Sequence, residues 1–350
     1  MFDFYLEVKK LEINGFRNLN NFSINFGDKK NLIFGDNGSG KTSVIEALFL
    51  LGFGKSFLPV NKKELVNFKA SGFFVKAEVL NKSGENTLTA RFEKSFYMQA
   101  NSEKAVFSQT SHYLYPLFFS SSNYNYYIDY MAYFRKLMDR FIHGVHSLYL
   151  HDVLRYNSIL KQKNYLLKNL GKSINNSELN SWNTVLAESG CKIVKKRMAF
   201  INQLNDMIGE IFRFDLKINY FPALLTTASL SENSIFNDLC LLKKTEINSK
   251  RSLLGPQRDR FDIMVSGKKL QLFSSGEKKK YLMMIFAAYI ELFRQERNDH
   301  PVFLIDDYDA AMDEKNLNFL MDHFSKIQVI ATSVAKNEKF GHLFELKKEN

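Results

Sequence analysis

The run Gly35-Asp36-Asn37-Gly38-Ser39-Gly40-Lys41-Thr42 carries the strongest chemical signal in the chain. Its glycines let the backbone curl so that successive amides point inward at the α- and β-phosphates of a nucleotide. At this spacing Lys41 reaches the β- and γ-phosphates, Thr42 ligates Mg²⁺, and the following helix adds its positive end. Far downstream, Val302-Phe303-Leu304-Ile305-Asp306-Asp307 is an apolar segment delivering two carboxylates. Ligands of open α/β sheets bind at the carboxyl ends of strands. There Asp306 suits the shell of a metal ion, and Asp307 suits orienting or deprotonating an attacking water. Alone, this segment reads equally as a strand and an acidic turn; beside a phosphate loop, the hydrolytic reading prevails. Between the two lies Phe273-Ser274-Ser275-Gly276-Glu277-Lys278-Lys279-Lys280. A Ser-x-Gly segment opening a long helix is a second phosphate receptor, although in isolation it is also an ordinary helix cap.

These residues need a scaffold, and the periodicity supplies one. Tyr5, Leu6, Val8, Leu11 and Ile13, then Phe22, Ile24 and Phe26, alternate as strands do around the turn-forming Asn14-Gly15. Asn31 to Phe34 reads as the strand before the glycine loop and Lys41 to Leu51 as the helix after it. Further strands are predicted over Phe73 to Val79 and Thr87 to Phe92. From 125 to 213 the period changes: Leu150, Val153, Leu154 and Leu160, then Trp182, Val185, Leu186, Ile193, Ile201, Leu204 and Ile208, recur at helical spacing. Gly171 to Ser177 reads as a loop between those helices. A strand over Phe214 to Tyr220, a helix near Phe236 to Leu242 and a hairpin of Phe261–Val265 with Leu270–Phe273 follow. A long helix from Gly276 and a strand over Val329 to Ala331 close the series.

An apolar content of 45% over 350 residues allows a large core and favours two domains. Cys191 and Cys240 stand alone, which leaves neither a disulfide framework nor a zinc cluster. The opening MFDFYLEVKK lacks the apolar run of a signal peptide, and the apolar stretch Tyr281 to Phe293 is too short to span a bilayer. A cytoplasmic protein is expected. The net charge of +11 makes polyphosphate an obvious partner, because Lys and Arg displace condensed counterions from nucleic acid; ordinary solubility explains it equally. Lys161, Lys163 and Lys168 read either as a solvated helix face or as part of a DNA track, and Lys278, Lys279 and Lys280 are further candidates.

The order of phosphate loop, Ser-x-Gly helix and acidic strand resembles the ABC-type ATPase heads. In those proteins Ser274 and Gly276 of one subunit would close over ATP held by the other, so one head makes an incomplete site. Asp313 stands where such proteins place a residue that contacts the partner. The resemblance narrows to the RecF family, related to the SMC heads. It is carried by Leu11-Glu12-Ile13-Asn14-Gly15-Phe16-Arg17-Asn18, by Glu46-Ala47-Leu48 and Gly54-Lys55-Ser56-Phe57, by Arg135-Lys136-Leu137-Met138-Asp139, and by Leu254-Gly255-Pro256-Gln257-Arg258-Asp259. The short helical insert, without sustained heptads, separates it from SMC proteins. The sequence departs from the family at Ser275 and Glu277, where Gln is usual, at Ala311 in place of Glu, at Ser121 and Asn123 in place of Pro and Asp, and at Gln257 in place of His.

The resemblance implies an α/β fold: an ABC-type head over 1–124 and 214–350, with an inserted helical arm over 125–213. It implies ATP and Mg²⁺ as cofactors, adds Arg17 to the nucleotide-contacting residues, and makes slow, DNA-dependent ATP hydrolysis the expected activity. It further implies a role in DNA replication, DNA damage repair and the SOS response, a homodimer formed on ATP over single-stranded and duplex DNA without sequence readout, and RecR- and RecO-type partners. Two other readings stay open: a head driving an attached nuclease or defence activity, and a non-hydrolysing DNA-binding scaffold in which the loop gates dimerisation.

Overall fold

The computed structural model describes residues 6–169, 175–225, 230–310 and 321–348. They form two compact units, one of 1–125 with 274–350 and one of 126–273. Asp313 and Ala311 lie outside the described residues, as does most of the loop expected after Gly171.

The first unit holds two sheets. Strands β1 (Glu7–Asn14), β2 (Phe22–Asn25), β4 (Phe73–Asn81), β5 (Gly84–Phe92), β6 (Phe96–Ala100) and β7 (Glu103–Ala105) make an antiparallel sheet in the order β2-β1-β4-β5-β6-β7. Strand β4 buries every second side chain, as a sheet with one covered face requires. Strand β1 buries Val8, Leu11 and Ile13, an uneven spacing that a register shift between Val8 and Lys10 absorbs. The second sheet is wholly parallel, ordered β14-β3-β13-β12-β8, from β3 (Lys30–Phe34), β8 (Pro116–Ser120), β12 (Val302–Asp306), β13 (Val329–Ser333) and β14 (His342–Glu345). In β8, β12 and β13 every residue is buried, the signature of strands covered on both faces. Helix α1 (Lys41–Phe53) packs against β4 and β5 of one sheet and β8, β12 and β13 of the other, which explains why it is apolar all round. Helix α2 (Phe107–Tyr113) lies against it. Helix α9 (Ser275–Arg297) covers the parallel sheet, with Phe286 between Phe119 and Phe303 at centroid distances of 5.7 and 5.6 Å. Strand β8 escapes the sequence reading because it opens on proline, which an edge strand tolerates.

The second unit is mostly helical. After α3 (Asn125–Asp129), where the chain enters it, come α4 (Met131–Val145), α5 (Tyr149–Asn169), α6 (Asn176–Phe212), α7 (Glu232–Leu241) and α8 (Lys243–Ser249). A small sheet of β9 (Leu216–Phe221), β10 (Arg260–Val265) and β11 (Lys268–Lys269) completes it. The sequence reading returns the chain to the head at residue 214; the structure keeps 214–273 with the helical arm. The reason lies in side-chain ties. Asn205 of α6 accepts from the Ile218 amide at 2.8 Å and donates to the Ile218 carbonyl at 3.0 Å, fastening β9 to the helix. Arg197 of α6 reaches the Pro256 carbonyl at 2.7 Å and Asp259 at 2.6 Å. The expected second hairpin strand over Leu270–Phe273 is instead a 3₁₀ turn over Leu270–Leu272, with the pairing strand two residues earlier. Leu270 is fully buried and Leu272 is 76% exposed, a spacing that alternation alone reads as strand.

Candidate nucleotide site in the first unit

Strand β3 ends at Phe34, and six residues later Gly40 opens α1, with a φ of 109° that only glycine adopts freely. Gly35 has a φ of 150°, and a Cβ there would meet the Leu346 carbonyl oxygen at 2.2 Å. Leu346 follows β14 and donates its amide to the Phe34 carbonyl at 2.8 Å, so the last described strand braces the base of the loop. Asp36, Asn37 and Gly38 are exposed on the loop's crest, whereas Ser39, Gly40 and Lys41 are buried beneath it. Lys41 donates through Nζ to the carbonyls of Gly35 at 2.7 Å and Asp36 at 2.8 Å. The Ser39 hydroxyl is buried without a hydrogen-bond partner.

Strands β3 and β12 flank β13, and all three deliver polar groups at their carboxyl ends. Thr42, in the first turn of α1, donates to the two Asp306 carboxylate oxygens at 3.1 and 3.2 Å. Thr332 of β13 donates to Asp306 Oδ1 at 2.7 Å and accepts the Asp307 amide at 3.0 Å. Its hydroxyl thus fixes the Asp306 carboxylate and the backbone of Asp307 at once. Asp306 is 5% exposed, and burial, reinforced by the nearby Asp307 charge, raises its carboxyl above the usual carboxylate range. Asp307 takes a φ of 54°, a left-handed backbone that turns its side chain away from the line of the strand, and its carboxylate accepts from Ser122. Ser122 lies in the segment where Ser121 and Asn123 depart from the family. Neither Thr332 nor Ser122 stood out in the sequence; a hydroxyl at the end of a buried strand has no local pattern, and only the parallel register of β12 and β13 gives it a role.

The remaining sequence-selected residues divide. Arg17 lies in a loop with φ of 53° and makes a two-pronged pair with Glu46 of α1, at 2.7 and 2.8 Å. Ser56 donates to the same carboxylate. Its neighbour Asn18 bridges the glycine loop and α1, donating to the Gly38 carbonyl at 3.1 Å and accepting from Ser43 at 2.8 Å. Ser274 is exposed and caps α9: it accepts the Glu277 amide at 3.4 Å, while Glu277 accepts the Ser274 amide at 3.0 Å and its hydroxyl at 2.7 Å. Glu277, a departure from the family, therefore completes a capping box. A Cβ on Gly276 would meet nothing within 4 Å, so no group of its own chain calls for glycine there.

The lysine candidates are sorted by burial. Lys163 is completely buried and pairs with the equally buried Glu246 at 2.6 Å, which removes it from any surface track. Burial lowers its pKa, and Glu246 opposes that shift. Lys161 and Lys168 remain exposed on α5. Lys279 donates to the Ala310 carbonyl and lies 5.1 Å over the Tyr124 ring, while Lys278 and Lys280 are half-buried.

The residues present suit ATP with Mg²⁺. Ser39 has a buried hydroxyl to give, Lys41 rests on two loop carbonyls that a phosphate would replace, and Thr42 with Asp306 forms a hydroxyl–carboxylate pair. Among the described residues no cluster of three or more His, Cys, Asp or Glu could hold a metal by itself. A Mg²⁺ ion here would draw its other oxygens from phosphate and water, its usual habit. Among the described residues, no helix is long and apolar enough to cross a membrane.

Comparison with known proteins gives the family and the fold. The family model of the RecF/RecN/SMC N-terminal domain matches residues 7–343. The DNA replication and repair protein RecF of Lachnoclostridium phytofermentans is 27% identical over 338 residues, covering 95% of this chain and 93% of the relative. Two solved structures of the recombination mediator protein RecF in the RecFOR pathway share the fold. The one described as RecF-ATPrS is 24% identical with a TM-score of 0.86, covering 95% of this chain and 94% of its own. The one described as RecF-ATP is 24% identical with a TM-score of 0.85, covering 96% and 94%. The chain belongs to the RecF/RecN/SMC N-terminal domain family, among its RecF members.

Proposed function

We propose that this chain is an ATP-dependent DNA-binding protein of recombinational repair and replication, which dimerises on ATP over gapped DNA and helps RecO- and RecR-type mediators load a recombinase. The observation that carries the reading is the pairing of a complete phosphate cradle with a helix start left free. Lys41, Ser39, Thr42 and Asp306 converge at the carboxyl ends of β3 and β12. Ser274 stands exposed and Gly276 half-buried, with the hydrogen bonds of Ser274 confined to its own first turn. A second copy would supply those groups to ATP held by the first. The match to RecF proteins over nearly the whole chain supports the repair role.

In this reading Gly35 to Thr42 bind the phosphates, Thr42 and Asp306 hold Mg²⁺, and Asp307 orients the attacking water. Mg²⁺ would neutralise phosphate charge. Thr332 and Ser122 hold the two carboxylates in different directions, so that one faces metal and the other water. Asp307 is one methylene shorter than the Glu usual in ABC-type heads, and a catalytic group misplaced by an ångström loses on the order of a hundredfold in rate. Hydrolysis is therefore slow, as suits a clamp that stays closed on DNA. DNA is held through its backbone by Lys and Arg, with little sequence readout.

The test is sedimentation of the purified chain with and without ATP·Mg²⁺ and gapped DNA. A dimer that forms only with ATP is expected. Ser274→Arg should bind ATP as a monomer and fail to dimerise; loss of nucleotide binding itself in that variant would sink the shared-site reading.

A further inference from the structure

The second unit carries an aromatic surface that its own core does not use. Tyr126 of α3, Tyr130 at the start of α4 and Tyr133 of α4 stand at helical spacing. The Tyr126 and Tyr133 rings are stacked, with centroids 5.2 Å apart and planes 18° apart. Tyr130 lies 5.7 Å from Tyr126 and 6.2 Å from Tyr133. Tyr126 is 45% exposed and Tyr130 55% exposed. The opposite face of α4 does the packing, with Phe134, Leu137, Met138 and Phe141 all buried. The tyrosines thus contribute little to the core, yet they form a contiguous platform rather than scattered surface rings. Exposed Lys136 extends over the Tyr133 ring, its Nζ 5.5 Å from the centroid. Asp129 is the one exposed carboxylate within the segment from 126 to 136.

Planar π faces beside a cation match the chemistry of an unpaired nucleobase with its phosphate. A ring face stacks any base, and the ammonium takes the backbone charge. Duplex DNA hides its base faces inside the stack, so this surface distinguishes unpaired from paired strands where backbone contacts cannot. A net charge of +11 favours a polyanion over an acidic-poor protein partner. We infer that Tyr126, Tyr130 and Tyr133, with Lys136, form a base-stacking platform for single-stranded DNA. This goes beyond the backbone contacts proposed above and does not depend on ATP.

The experiment uses the full chain without nucleotide and three probes of equal length: single-stranded oligo-dT, an abasic single strand, and a duplex. The wild type should bind oligo-dT more tightly than the abasic strand, which keeps the phosphates and lacks the bases. Tyr130→Leu keeps apolar volume and removes the ring. It should weaken oligo-dT binding by about tenfold while leaving abasic and duplex binding unchanged. Tyr130→Phe should retain wild-type binding, which separates stacking from hydrogen bonding by the hydroxyl. A combined Tyr126→Leu/Tyr130→Leu variant should lose the preference for oligo-dT altogether, with circular dichroism and the thermal midpoint reporting that the fold is intact. Equal wild-type affinity for oligo-dT and the abasic strand would overturn the platform while leaving backbone binding standing. Equal losses on all three probes in Tyr130→Leu would also overturn it, because they would mark a structural role. Oligo-dT binding without duplex binding would support the platform and, with no ATP present, leave the ATP-dependent clamp standing.

Discussion

Two buried polar assemblies in this molecule are built on opposite plans. In the second unit, Arg197 is 3% exposed and its guanidinium is fully engaged: both carboxylate oxygens of Asp139 at 2.8 and 3.0 Å, Asp259 at 2.6 Å, the Tyr149 hydroxyl and a backbone carbonyl. Asp259, with no exposure, also takes the Tyr220 hydroxyl and the Ala223 amide. Tyr149, Tyr156 and Tyr220 have their pKa values pushed up, foremost by burial, so they serve as neutral hydrogen-bonding groups. Charge meets opposite charge within the chain. In the first unit, Lys41 rests on carbonyls, Asp306 on two hydroxyls, and the Ser39 hydroxyl on nothing. A buried charge left with neutral partners is costly unless something else arrives. The comparison separates groups that hold the fold from groups kept ready for a ligand.

The comparison is broken most severely by deleting one member of a paired assembly. Arg197→Met leaves buried Asp259 uncompensated and should cost about 3–5 kcal/mol, read as a lower urea midpoint. Lys163→Met should cost a similar amount alone. Combined with Glu246→Leu it should return to near wild-type stability or above, because a buried ion pair replaced by apolar groups is often neutral or stabilising. A double variant as unstable as the single would mean that the pair contributes more than charge compensation.

The nucleotide assembly should answer differently. Lys41→Ala should abolish ATP-dependent dimerisation while changing the unfolding free energy, read from urea titration, by no more than about 1 kcal/mol, since only two carbonyl hydrogen bonds are lost. A large stability loss there would erase the distinction between the two regions. Next in size, Asp307→Asn keeps shape and removes charge. It should bind ATP, dimerise, slow single-turnover hydrolysis by about a hundredfold or more, and lengthen the lifetime of the DNA complex. Wild-type hydrolysis would shift the role to Asp309, whose carboxylate accepts the Val334 amide at 3.0 Å. The smallest effect sharpens the sorting of the lysines. Lys161→Ala should reduce the salt dependence of DNA binding by about one phosphate contact or not at all. A fall in stability rather than in salt dependence would place Lys161 with Lys163.

How much of this was open to reading from the sequence depended on whether the signal was local. The glycine loop, the strand before it and the helix after it declare themselves in consecutive residues, and the structure starts α1 at Lys41. The five buried residues of β12 with their terminal carboxylates are equally local. Lys163 shows the opposite case: one lysine among several on α5 looks like its exposed neighbours until Glu246 of α8 arrives against it. The same holds for residues 214–273, whose strand pattern is readable but whose attachment depends on Asn205 and Arg197 in α6.

The sequence alone therefore determined the phosphate loop, the acidic strand, the capped helix at Ser274 and the alternation of helical and strand segments. Each rests on residue type and spacing within a few positions, where backbone geometry and short-range chemistry suffice. Tertiary structure alone decided that Thr332 fixes the Asp306 carboxylate and the Asp307 backbone, that Arg17 lies on Glu46, that Lys163 is interior, and that three tyrosines share one surface. Those facts depend on segments distant in the chain being brought within hydrogen-bond reach, and on which face of a helix the core covers. No local pattern encodes either.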